Sequence, residues 1–227
     1  MQRYFYNYPY LRYPNTNVKN NLMTVYGRGN IKVKPDIAIA SIGVIVENKD
    51  LKVAQAQSIE KANRILDTLR RMGIQERDIK TENYTITPEY DYIEGKQVFR
   101  TYKITNTFRV TLRDLSRIGE IIDVAVASGA NVVNSITFTI DNPEKYYTQA
   151  LKIAVRNALE KARELGETLN VIVNNTPIRI IEEKQENRPV YRQAVLAAST
   201  EATPIMEGVI EISADVKAIF NYLAKTF

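Results

Sequence analysis

Two groups of carboxylates, Glu47 with Asp50 and Glu89 with Asp91 and Glu94, are of the type that does general acid–base work. Such work needs two carboxyls facing each other across a cleft, one with its pKa raised by its surroundings. These acids fall beside turns, where a carboxylate is ordinarily solvated. Ser58 and Lys61 stand three residues apart, the spacing of a Ser–Lys nucleophile pair and equally of two surface positions on one helix. Gly27-Arg28-Gly29 opens like a phosphate-cradling loop, but the dinucleotide fingerprint needs a third glycine where Lys32 stands, with a helix directly after it. An extended pattern continues there instead, and glycines in a strand mark a bulge or the close approach of another backbone.

The residues that usually carry catalysis are missing. The chain of 227 residues has no histidine, no cysteine and no tryptophan. Without His and Cys it cannot build a Ser-His-Asp or Cys-His triad, or a zinc, haem or iron–sulfur centre of the usual kind from its own side chains. No cofactor is expected. The composition points toward binding or assembly.

The net charge of +5 is unevenly spread. Arg3, Arg12 and Lys19 lie in the first 22 residues, which contain no acid, and the remainder is at +2. Arg70, Arg71 and Arg77 are interleaved with Glu76, Asp78 and Glu82, so a solvated mixed-charge surface is expected rather than a nucleic-acid face. No apolar run reaches the roughly 18 residues that span a bilayer. The first residues lack the basic and apolar regions of a secretory signal, so a cytoplasmic location is expected, with spore or envelope association as the alternative.

Residues 1–22 differ from the rest. Tyr4, Phe5, Tyr6, Tyr8, Tyr10 and Tyr13 alternate with Asn, Pro and Arg, a pattern that reads as a disordered tail or as an adhesive arm docking another protein. The folded domain is expected over 23–227, divisible into a 23–140 core and a 141–227 extension. Strands are expected at Met23 to Lys34 and Ile37 to Glu47. A helix follows from Leu51 to Met72, capped by Asp50 and stopped by Gly73, with Ile59, Ala62, Leu66 and Leu69 on one face. Lys80 to Tyr92 and Gln97 to Leu112 form a hairpin around Gly95. A helix over Leu115 to Ser128 follows Asp114, then a strand over Val132 to Ile140.

This order is α+β: a split β-α-β-β-α-β, ferredoxin-like core with an added N-terminal strand. Asn142-Pro143 opens a long helix in which Ala150, Ala154, Ala158 and Ala162 form a small-residue ridge suited to close packing. Two C-terminal strands are expected, near Pro177 to Glu186 and Met206 to Phe220. The connection between them, 187–204, holds an apolar middle that includes Val195 and Leu196 and reads as a packing segment. Tyr84, Tyr90, Tyr92 and Tyr102 on the hairpin suit either a half-buried sheet face or an interface.

Val25-Tyr26-Gly27-Arg28-Gly29 with Pro35-Asp36 resembles the opening of the SIMPL-domain family. So do Gly73-Ile74, Asp78-Ile79-Lys80-Thr81 and Ile86-Thr87-Pro88-Glu89-Tyr90-Asp91-Tyr92, then Lys161-Ala162 and Thr203-Pro204-Ile205-Met206-Glu207-Gly208. The resemblance spans roughly residues 23 to 220. It includes bacterial periplasmic immunogenic proteins and proteins linked to oxidative-stress defence, and a vertebrate member that binds a kinase-associated partner. It implies an α+β fold, ring-like oligomers and no catalytic residue to carry over. Where those bacterial proteins have an export signal, this sequence has its Tyr/Asn/Pro segment.

The expected function is therefore non-enzymatic homo-oligomeric assembly or protein interaction, linked to stress protection or to an envelope-type layer. An enzyme or small-ligand protein using carboxylate, Tyr or Lys groups is the alternative, and weak nucleic-acid binding a third. Family-motif and interface candidates are Gly27, Gly29, Pro35, Asp36, Thr81, Pro88, Tyr90, Tyr92, Val195, Leu196, Pro204 and Gly208.

Overall fold

The computed structural model describes residues 21–183, 190–192 and 208–225. The candidates Val195, Leu196 and Pro204 lie outside the described residues, as does nearly all of the 1–22 segment. Leu22 already belongs to the first strand.

The elements run in order β1 (Leu22–Val33), β2 (Ile37–Asn48), α1 (Leu51–Arg71), β3 (Ile79–Ile93), β4 (Lys96–Leu112), α2 (Ile118–Ala127), β5 (Val132–Thr139), α3 (Pro143–Thr168), β6 (Val171–Val173), β7 (Arg179–Glu183), β8 (Val190–Arg192) and β9 (Val209–Ala224). Short 3-10 turns at Glu76–Asp78 and Leu115–Arg117 lead into β3 and α2. The strands form two sheets. One is four-stranded in the order β3-β4-β2-β5, the arrangement of a split β-α-β-β-α-β core. In the other, β1 and β6 flank β9, and β7 and β8 also pair with β9.

By chain contacts the molecule divides into two compact units. Asn30–Ala150 with Glu186–Ser213 form one; Met1–Gly29, Leu151–Gln185 and Ala214–Phe227 form the other. In the first, β2 alternates so that Ala38, Ala40, Ile42, Val44 and Val46 face a core shared with α1, α2 and the even-numbered residues of β4. Asp50 starts α1 by accepting hydrogen bonds from the backbone N–H groups of Lys52 (2.8 Å) and Val53 (3.2 Å). Gly73, at φ +90°, ends it. The buried face of α1 is Ala54, Ser58, Ala62, Ile65, Thr68 and Leu69. Ile59, expected inward, is 54% exposed, because the inner stripe runs through its neighbour Ser58. Ser58, expected at the surface, is fully buried for the same reason.

In the second unit the alanine ridge does what its spacing implies. Ala154, Ala158 and Ala162 pack against Met23 and Val25 of β1 and Val216, Ala218 and Phe220 of β9. Gly27 makes this approach possible: a Cβ there would collide with the carbonyl oxygen of Ala154 and lie 2.9 Å from the Ala158 methyl. Two hydrogen bonds from α3 fasten the same strand: Lys161 Nζ donates to the Tyr26 carbonyl (2.9 Å) and Asn157 Nδ2 to that of Arg28 (2.7 Å).

Candidate interaction surface

The β3–β4 hairpin outruns its neighbour. β2 pairs with β4 only as far as Asn48↔Tyr102, whereas β3 and β4 continue together to Ile93↔Lys96. Beyond Tyr102 the hairpin is a two-stranded arm with no third strand on either edge among the described residues. It closes through Glu94 and Gly95, both at positive φ (51° and 77°), the backbone of a tight hairpin turn whose twist matches the strands.

The register slips once within the arm. Glu89 faces Thr101 and Tyr90 faces Phe99, so Arg100 is the extra residue of a β-bulge. Arg100 reaches toward Glu47 (3.7 Å) and Asp91 (3.9 Å), both exposed ion pairs. The slip returns Phe99 to the face carrying Tyr90 and Tyr102. The Phe99 ring lies edge-on to Tyr90 at 5.9 Å and tilted against Tyr102 at 4.9 Å. Tyr84 and Tyr90 are exposed as well and Tyr92 is 77% exposed, while Ile93 and Val98 are exposed on the opposite face of the arm. An apolar concentration of this kind on a surface marks a contact site.

The sequence candidates occupy different parts of the chain. Pro88, Tyr90 and Tyr92 fall on the arm, with Pro88 on the edge strand, where a missing N–H is tolerated. Thr81 lies on the same strand, opposite Phe108. Gly27 and Gly29 are buried in β1. Pro35 is buried, while Asp36 fastens the β1–β2 link to the end of β5: its carboxylate accepts from the Asp141 N–H (2.8 Å) and its own N–H donates to the Thr139 carbonyl (3.2 Å). Gly208 is half-buried just ahead of β9. Of the carboxylates considered for acid–base work, Asp50 caps α1 and Glu47 and Asp91 flank Arg100. Ser58 Oγ is sealed in the core and has no hydrogen-bond partner among the described residues.

Two charged clusters outside the candidates are structural. The Arg113 guanidinium donates to the buried Asp78 carboxylate (3.1 and 3.2 Å) and to Asp141 (2.8 Å), clasping the start of β3 to the end of β5. Hydrogen bonding to Arg113 holds the Asp141 carboxyl below the usual aspartate range and raises the guanidinium. An open groove of about 640 Å³ carries Arg64, Arg70, Arg71, Thr68 and Ser128. Arg70 is paired with Asp67 (3.1 Å), Arg64 approaches Glu60 (3.8 Å), and Arg71 donates to Thr68 Oγ1 (3.0 Å). Arg70 and Arg71 stand in the last turn of α1, and there they offset the helix's terminal carbonyls. No helix among the described residues is long and apolar enough to cross a membrane.

The model of the SIMPL family, described as a protein of unknown function (DUF541), matches residues 23–220, and the chain belongs to that family. It is 27% identical over 213 residues to the 26 kDa periplasmic immunogenic protein of Brucella melitensis, covering 88% of this chain and 84% of that protein. The same protein of Brucella abortus matches to the same extent. The uncharacterized protein YggE of Escherichia coli K12 is 33% identical over 140 residues, 62% of this chain and 57% of that protein. The expectation of a cytoplasmic location is overturned by the two Brucella proteins, whose names point to the periplasm. That expectation came from the first residues alone. The folded domain carries no compartment signal, and a chain without cysteine suits an oxidising or a reducing environment equally.

Proposed function

We propose that this SIMPL protein is non-enzymatic and works outside the cytoplasm by assembling with copies of itself through the β3–β4 arm. The observation that carries this reading is the exposed aromatic face of Tyr90, Tyr92 and Phe99 on a hairpin whose two edges are both unpaired among the described residues. Aromatic anchors supply most of the energy of a protein interface, and an unpaired strand edge adds backbone hydrogen bonds to a partner strand. The extracytoplasmic location is carried over from the names of the Brucella relatives. The inventory of side chains supports the non-enzymatic part, since the chain has neither histidine nor cysteine.

Light scattering on the purified chain tests the reading. The expected result is a mass several times that of one chain, falling to the single-chain value in a Tyr90→Ser/Phe99→Ser variant with an unchanged far-UV spectrum. A wild-type protein that stays monomeric throughout the micromolar range overturns it.

A further inference from the structure

The open groove beside the C-terminal end of α1 holds positive charge that its ion pairs leave over. Lys61, Arg64, Thr68 and Arg71 follow one another at i, i+3, i+7 and i+10 along α1, a spacing that sets them in one stripe. The stripe meets the end of α2: Arg64, Thr68 and Arg71 line the groove with Ala127, Ser128 and Gly129. Lys61 borders one end, its Cγ 3.9 Å from where a Cβ on Gly129 would stand. Acids share the groove, and they are engaged. Asp67 pairs with Arg70 (3.1 Å), which also reaches Glu76 (3.5 Å), and Glu60 approaches Arg64 (3.8 Å). Lys61 and Arg71 have no carboxylate partner among the described residues.

Arg71 is held in a fixed direction. A hydrogen-bonded chain runs from its Nη2 through Thr68 Oγ1 and Ser128 Oγ to the Val124 carbonyl, with steps of 3.0, 2.9 and 2.8 Å. Thr68 is only 5% exposed, so the chain is anchored in the core. It engages one guanidinium N–H and leaves the others for a ligand. The helix ends do not take them. The carbonyls of Thr68, Leu69 and Arg70 already accept from the N–H groups of Met72, Ile74 and Gly73. Those of Val124, Ala125 and Val126 accept from Ser128, Ala130 and Gly129.

We propose that this groove binds a small anion carrying more than one phosphate or carboxylate group. Guanidinium and ammonium groups donate to such oxygens, and a guanidinium fixed in direction can do so bidentately. About 15 Å of helix separates Lys61 from Arg71, so a single oxyanion meets one cation while a multivalent one meets both. No aromatic ring lines the groove among the described residues, which leaves nothing for a base or a sugar face to stack on. The groove lies at the opposite end of α1 from the β3–β4 arm, which projects beyond Asn48 and Tyr102. The proposal therefore stands whether or not the arm assembles.

Calorimetric titration of the full-length protein with inorganic tripolyphosphate and with citrate tests it, at low salt so that exposed charges are weakly screened. Saturable binding of at least one probe is expected, and the tighter of the two names phosphate or carboxylate as the class. Inorganic phosphate and acetate are expected to bind at least about tenfold more weakly than the multivalent probe of their class. Lys61→Gln/Arg71→Gln is expected to weaken binding at least about tenfold. Lys80→Gln/Lys152→Gln removes the same charge from exposed sites elsewhere and is expected to stay within about twofold of wild type. Asp67→Asn releases Arg70 from its 3.1 Å pair and is expected to tighten binding severalfold, a gain that misfolding cannot mimic. Unchanged far-UV spectra verify the fold of each variant. Absence of saturable binding to the wild type overturns the proposal, as does equal weakening in the two double variants or no gain in Asp67→Asn. The Tyr90→Ser/Phe99→Ser variant is expected to bind the probes as the wild type does.

Discussion

Phe99 and Tyr102 are three residues apart on one strand, an odd spacing that ordinarily sets side chains on opposite faces, yet their rings lie 4.9 Å apart on the same face. The bulge at Arg100 accounts for this, since it absorbs one residue between them. The bulge, more than the tyrosine count, makes the arm's aromatic face continuous.

Arg100 itself contributes little through its charge, because both of its ion pairs are long and exposed. Arg100→Ala is expected to change unfolding free energy by less than about 0.5 kcal/mol. Phe99→Ala, which removes both ring contacts, is expected to cost about 1–2 kcal/mol and to reduce the mass seen by light scattering. Deleting Arg100 restores regular alternation with Phe99 still opposite Tyr90, so the near-UV tyrosine signal and the assembly are expected to persist. Loss of both in the deletion variant contradicts the bulge account.

Gly27 sits where added volume meets backbone. Gly27→Ala pushes a methyl into the Ala154 carbonyl and the Ala158 methyl, and the strain is expected to cost about 1–3 kcal/mol. Gly95→Ala meets no atom within 4 Å and strains only the positive-φ turn, a cost of roughly 1 kcal/mol. Urea titration of the two variants side by side distinguishes steric from conformational cost. A larger loss at Gly95 refutes the packing role assigned to Gly27.

Ser58 is a polar group sealed in the core without a partner among the described residues. Ser58→Ala removes a desolvated hydroxyl and improves helix propensity. The variant is expected to be more stable than wild type by about 1–2 kcal/mol. A destabilised variant in urea or thermal unfolding indicates that the hydroxyl is satisfied.

The clasp at Arg113 gives stability a pH dependence. The folded-state pKa of Asp141 lies below its unfolded value, so its contribution is complete above the unfolded pKa and is lost as pH falls through the folded one. The melting-temperature gap between wild type and Asp141→Asn is expected to be constant from about pH 7 to pH 5 and to close between about pH 4 and pH 2. A gap that stays constant to the lowest pH contradicts this role. Arg113→Ala is expected to lower the melting temperature further than Asp141→Asn, because it strands the buried Asp78 carboxylate as well.

The sequence revealed local features and hid non-local ones. Asp50, Gly73 and Gly95 mark their cap, stop and turn through side-chain and backbone chemistry that needs no tertiary partner. The alanine ridge of α3 was legible from its four-residue period, but its partner strand was not. The pairing of β1 with β9 joins residues nearly two hundred positions apart, and no periodicity encodes that choice. β6, with three residues, is too short to show alternation. On the arm, Tyr84, Tyr90, Tyr92 and Tyr102 were visible as a cluster, whereas Phe99 was not, because the Arg100 bulge breaks the alternation that would have placed it. One available signal was strand length: β3 and β4 have 15 and 17 residues where β2 has 12, so the hairpin must overhang its neighbour.

β9 also has a consequence in time. β1, β6, β7 and β8 all pair with it, so among the described residues none of them has its sheet neighbour until the last strand exists. On a ribosome the β3-β4-β2-β5 sheet has all its strands once Thr139 has emerged. The other sheet must wait for Val209–Ala224, by which time β1 has been unpaired for nearly the whole of synthesis. Half of this fold is in effect post-translational, and any factor that holds the nascent chain has the edges of β1 as its longest-lived target.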